Sequence, residues 1–174
     1  MSPIATTPQY VHAIDATGDL LVKQGLEFMF VGNVARAAWI GGAIDSGSVD
    51  VVAIMQPQQK SQVAMMAGNN GFHVDRTLVE GSEELDLIPL TYEGIRVHVL
   101  VASNALYARM VRDAWFERIG EHDWRVPSRE DLALLLALSD DEDALQQVIA
   151  LSDFDRDRYN EKLTSIGLRG LVLQ

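Results

Sequence analysis

Phe28-Met29-Phe30-Val31-Gly32-Asn33-Val34-Ala35-Arg36, followed after a glycine-rich loop by Ser46-Gly47-Ser48-Val49-Asp50-Val51-Val52, is the stretch whose reading decides the fold. Phe28 to Val31 is a short apolar run closed by Gly32 and Asn33, the pattern of a buried strand. Asn33 is suited to cap a short helix running through Trp39, because its side chain can accept a bond from an unpaired first-turn N–H. Gly41, Gly42, Ser46 and Gly47 then mark a loop. A second strand is expected from Val49 to Met55, so a tight glycine turn and a strand-borne carboxylate, Asp50, occur within one compact unit.

Working outward, Thr7 and Pro8 read as a helix start, with a capping hydroxyl and proline at the first helical position. Val11, Ile14, Leu21 and Val22 mark its apolar face, and Gly25 its stop. Pro57 opens a polar helix to about Ala67, closed by Gly68, Asn69, Asn70 and Gly71. Phe72 to Tyr92 reads as one or two strands joined by an acidic turn at Gly81 to Glu84. After the Glu93-Gly94 turn, Ile95, Val97, Val99 and Val101 alternate with Arg96, His98 and Leu100, the period-two signature of a strand.

From Asn104 onward the patterning is helical. Leu106, Met110, Val111, Ala114 and Trp115 fall at helical spacing, and Ser128 with Asp131 resembles a capping box carrying aspartate for glutamate. Leu132 to Leu138 is too continuously apolar for a surface helix. Asp140 to Ala150 and Asp155 to Ile166 complete the helical third, with Gly167 as the last stop. The expected organisation is an α/β core over residues 1–103 and a helical C-terminal subdomain over 104–174 packed on it.

The 174 residues suit one compact domain with an appendage, and 48% hydrophobic with 22% charged residues describes a chain able to bury a core. A net charge of −11 opposes a broad contact with nucleic-acid phosphates or anionic lipid. Without cysteine there is no disulfide, thiolate zinc site or cysteine nucleophile. No signal-peptide pattern opens the chain, and no apolar run approaches the ~20 residues that span a bilayer, so a cytoplasmic protein is expected.

Several familiar motifs are missing. There is no Gly-x-x-x-x-Gly-Lys loop, no Gly-x-Gly-x-x-Gly after a strand and no Gly-x-Ser-x-Gly elbow. Asp153, Asp155 and Asp157 imitate the start of a calcium loop, but Arg158 occupies the glycine position and Thr164 that of the closing glutamate. Helix-capping acids are the better reading there and at Asp140 to Asp143. His12, His73, His98 and His122 form no His-x-x-x-His pair.

In its order and spacing, the unit from Phe30 to Val52 resembles the minimal nucleotidyltransferase superfamily, in particular small bacterial proteins grouped with abortive-infection toxins. Gly94-Ile95-Arg96-Val97-His98-Val99-Leu100 is similar to that family's third-aspartate strand, and Val126-Pro127-Ser128-Arg129-Glu130-Asp131-Leu132 to its Pro-Ser-Pro-Glu-Asp-Leu helix entry. The resemblance spans about residues 18 to 168. It implies an α+β fold, a nucleotidyltransferase-like mixed β-sheet with flanking helices and a helical C-terminal part. In the family, two carboxylates one residue apart on a strand share a face and hold the catalytic metals. A third carboxylate completes that site, and the glycine turn with its helix N-terminus holds phosphates.

Here the pattern departs. In one register Ser48 takes the first aspartate position and Asp50 the second; in the other Asp50 is first and Val52 second. His98 replaces the third. The resemblance thus nominates Asp50, Ser48 and His98 as catalytic positions, Asp50 as the metal ligand, and Gly32, Asn33 and Arg36 as nucleotide contacts. Serine and imidazole are poor substitutes for carboxylates on magnesium, so Mg2+ binding is expected to be weak. Three functions stay open: an impaired nucleotidyltransferase that still binds a nucleotide or a protein partner, an active one with an altered site recruiting Glu27, Asp45 or Glu93, and an interaction module of a toxin–antitoxin or defence pair. Neither a broad nucleic-acid surface nor a membrane contact is expected.

Overall fold

A computed structural model describes residues 5–75 and 86–168. In chain order the elements are β1 (Ala5–Thr6), α1 (Pro8–Lys23), β2 (Glu27–Val31), α2 (Gly32–Ile40), β3 (Ala43–Ile44), β4 (Val49–Ile54), α3 (Pro57–Asn69), β5 (His73–Val74), β6 (Leu87–Tyr92) and β7 (Ile95–Val101). There follow α4 (Ala105–Arg112), β8 (Trp115–Ile119), β9 (His122–Val126), α5 (Arg129–Leu138), α6 (Glu142–Ile149) and α7 (Arg156–Ser165). The acidic turn expected at Gly81 to Glu84 lies outside the described residues.

The central sheet has the order β2-β4-β7-β6-β5. The strands expected from Phe28, Val49 and Ile95 are neighbours, β4 running antiparallel to β2 and parallel to β7. Its register sets Val31 beside Asp50 and Asp50 beside His98. Side chains alternate along a strand, so Asp50 and Val52 share one face of β4, as His98 and Leu100 do on β7. The other face of β4, Val49, Val51 and Ala53, is wholly buried. Each such apolar side chain contributes about 1.5–3 kcal/mol through the water it no longer orders, less for alanine.

Three local expectations need correction. Helix α2 begins at Gly32 itself, so Asn33 lies inside its first turn and is no cap, and Val31, the residue before it, makes no side-chain cap bond. Thr7 holds the N-cap position of α1, but its hydroxyl caps nothing. Between α4 and α5 the chain is not helical: β8 and β9 form a hairpin in which Ile119 pairs with His122 across Gly120 and Glu121. Ala114 and Trp115 continue the helical spacing of α4, yet Asp113 ends that helix.

The hairpin belongs to the core. Trp124 packs on Phe28 and Phe30 of β2 with ring centroids 6.2 and 5.8 Å apart, and its indole N–H donates to Asp15 Oδ1 at 2.8 Å. Its six-membered ring also lies on α1 at Gly18, where a Cβ would come within 2.3 Å of it; only glycine permits that approach. Downstream, Asp141 and Asp155 cap α6 and α7 through bonds from Ala144 N and Arg158 N. Helix α5 buries Leu132, Ala133, Leu134 and Leu136, while Leu138 at its end is 49% exposed.

Candidate functional site

Asp50 stands at the second residue of β4, where the end of β2 turns into α2. Two groups converge on one of its oxygens: the Ser48 hydroxyl donates to Oδ1 at 2.8 Å, and His98 Nδ1 lies 2.8 Å from the same atom. A carboxylate oxygen accepts, so Nδ1 carries a proton, and in the neutral ring Nε2 is then the acceptor. The other oxygen, Oδ2, faces Gly32, where an added Cβ would stand 2.9 Å away. Gly32 also has φ +57, in the region that side chains with a Cβ avoid. The Asp50 and His98 side chains are 25% and 34% exposed, so the group is half-open. The structure therefore gathers Asp50, Ser48, His98 and Gly32.

The remaining two candidates are held by other partners. Asn33 Nδ2 donates to the Ser46 carbonyl at 3.3 Å and so ties α2 to the loop before β4. Arg36 Nη1 donates to Asp141 Oδ2 at 3.0 Å, linking α2 to the cap of α6. Two of the acids considered for recruitment also lie apart: Glu27 sits at the end of β4 away from Asp50, beside Ile54, and Glu93 pairs with His12 at 3.9 Å on the β6–β7 turn.

Beside Gly32, on the face of the sheet that carries Asp50, opens a cavity of about 370 Å³. Val52 and Leu100 form its floor, and α5 contributes Leu132, Leu135 and Leu136. Asp86, Ser103 and Tyr107 add polar groups at its sides, and Arg36 reaches it as well. Asp86 was not among the candidates. It is one of 25 acids, stands just before β6, and shares no spacing with a motif, so no local signal singles it out.

The donor set does not fit magnesium held in the two-metal manner. Such an ion demands several hard oxygens in near-octahedral array. Here Oδ1 already receives two hydrogen bonds, and the positions one step along the same face are Val52 and Leu100. Among the described residues no group of three or more histidine, aspartate or glutamate side chains is arranged to hold a metal.

No family model matches the chain, and no curated protein matches it in sequence. Solved structures do match its shape. ANT(2")-Ia, solved in complex with adenylyl-2"-tobramycin, aligns at a TM-score of 0.58 and 12% identity over 92% of this chain and 98% of its own. The lincosamide antibiotic adenylyltransferase LnuA, solved with lincomycin bound, aligns at 0.53 and 11% identity over 86% and 99%. An antigenic nucleotidyltransferase-like protein from Paracoccidioides brasiliensis aligns at 0.53 and 10% over 95% and 89%. The chain has the nucleotidyltransferase fold, and no described helix is long and apolar enough to cross a membrane.

Proposed function

We propose that this chain is a nucleotidyltransferase-fold protein whose transfer chemistry is impaired and whose cleft beside Gly32 serves binding. One observation carries the reading: the one carboxylate of β4, Asp50, is engaged by Ser48 and His98, while Val52 and Leu100 occupy the next positions on that face. Metal-assisted phosphoryl transfer rests on charge placed before the reaction begins, and most of that charge is missing. The helical stretch after residue 104 acts here as a wall of the cleft. The test offers labelled ATP, GTP, CTP and UTP with magnesium or manganese to protein, RNA and small-molecule acceptors. No appreciable label transfer is expected. Transfer by the wild type that Asp50→Ala abolishes would overturn the reading.

A second reading is favoured by the His98–Asp50 pairing, which leaves Nε2 of an oriented imidazole as a proton acceptor. It makes the chain an active transferase with an altered site, and the same assay decides, with His98→Ala losing activity alongside Asp50→Ala. An interaction module would instead reveal itself as a stoichiometric protein partner that persists through purification.

A further inference from the structure

We infer that the cleft binds an uncharged, predominantly apolar small molecule carrying one hydrogen-bonding end, and not a nucleoside triphosphate. This rests on the reading that the cleft binds without transferring, and it adds the class of ligand. The cavity's volume, about 370 Å³, falls at the lower end of the ~300–1,000 Å³ usual for small-molecule pockets.

Its walls decide the chemistry. Val31, Val52, Leu100, Leu132, Leu135 and Leu136 come from three strands or strand ends and one helix, and they converge on a single space. A multiply charged phosphate chain laid against them would lose hydration worth several kcal/mol per charge without recovering it. The cation that could compensate is Arg36, and its guanidinium is shared with Asp141 at 3.0 Å. Asp86 on the cavity wall and Asp50 behind Gly32 add negative charge, in a protein of net charge −11. An anion is therefore repelled as well as poorly solvated. The Ser103 and Tyr107 hydroxyls and the Asp86 carboxylate lie at the sides of the same space and suit a hydroxyl or amide on the ligand.

Val52 shares a face with Asp50, and Leu100 with His98, so both strands change from polar to apolar within two residues. The change marks the border between the hydrogen-bonded group at Asp50 and the apolar chamber.

Fluorescence titration of the full chain with N-phenyl-1-naphthylamine, an uncharged apolar dye, and with the anionic 8-anilinonaphthalene-1-sulfonate tests the inference. The neutral dye should bind one to one and at least about tenfold more tightly than the sulfonate, and ATP with magnesium should not displace it. Leu135→Asn places an unpaired amide in the wall and should weaken the neutral dye roughly tenfold. If that variant fails to fold, Ser103→Trp on the exposed rim carries the test, since it blocks the mouth without touching the core. Preference for the sulfonate, displacement by ATP, absence of binding, or indifference to Ser103→Trp would each overturn the inference. Displacement by ATP without label transfer sinks the ligand class alone; label transfer that depends on Asp50 sinks the functional reading instead.

Discussion

Two aspartates in this molecule are held by the same kinds of partner and end in different roles. Asp50 accepts from the Ser48 hydroxyl and from the imidazole of His98. Asp131 accepts from the Ser128 hydroxyl at 3.0 Å on one oxygen and from the Lys162 ammonium on the other. Asp50 is 25% exposed on a strand beside a cavity, whereas Asp131 is 0% exposed on α5 and its lysine lies on α7. The first group is half-open to solvent; the second is sealed and clamps two helices together. Burial, more than residue type, separates a site from a strut, because water screens the one and leaves the other to its partners.

The largest expected effect lies in the clamp. Asp131→Ala leaves a lysine buried without its counter-charge and should cost about 3–5 kcal/mol in urea unfolding. Replacing both residues by apolar side chains of similar volume should recover most of that loss. A cost near zero for Asp131→Ala would show that the pair is wet and would break the contrast.

Gly32→Ala comes next, at about 1–2 kcal/mol for the left-handed backbone alone. Its new Cβ also crowds Asp50 Oδ2 at 2.9 Å. In an Asp50→Ala background the crowding disappears, so the two changes should be less than additive in a double-mutant cycle. Strict additivity would place Asp50 away from Gly32.

Asp50→Ala itself should cost only about 1 kcal/mol, since a half-open hydrogen-bonded group exchanges its bonds with water. Its signature is local: the proton on His98 Nδ1 should lose its protected nuclear magnetic resonance signal. A stability loss as large as that of Asp131→Ala would make Asp50 a second strut.

The smallest effect concerns alkaline pH in the clamp's own half. Burial raises the pKa of Tyr159 above its ordinary 10.0, and the nearby Glu142 carboxylate raises it further. The folded state thus holds this proton more tightly than the unfolded state. Its contribution is complete below pH 10.0 and is lost as pH rises from there through the folded value. Unfolding midpoints should fall above pH 10.0, and Tyr159→Phe should flatten that fall.

Legibility was uneven, for physical reasons. The strand β7 was readable because period-two alternation is a local property, and β4 because a short apolar run after a glycine-rich loop is one as well. The hairpin β8–β9 was missed although Gly120-Glu121 is a two-residue turn signal, because Trp115 also satisfies the helical spacing begun at Leu106. Ser128 does cap α5, but the Asp131 side chain turns to Lys162, a partner 31 residues away that no capping pattern contains.

What this sequence determined by itself is that β4 bears a single acid, which follows from residue identity alone. Only the tertiary structure decided what that acid does. Parallel pairing of β4 with β7 brings His98, 48 residues on, onto Asp50, and packing of α2 against α6 hands Arg36 to Asp141, 105 residues away. The cavity exists only because Val52, Leu100 and Leu135 meet across separate elements. Such meetings are governed by strand register and helix packing, and no window of neighbouring residues contains them.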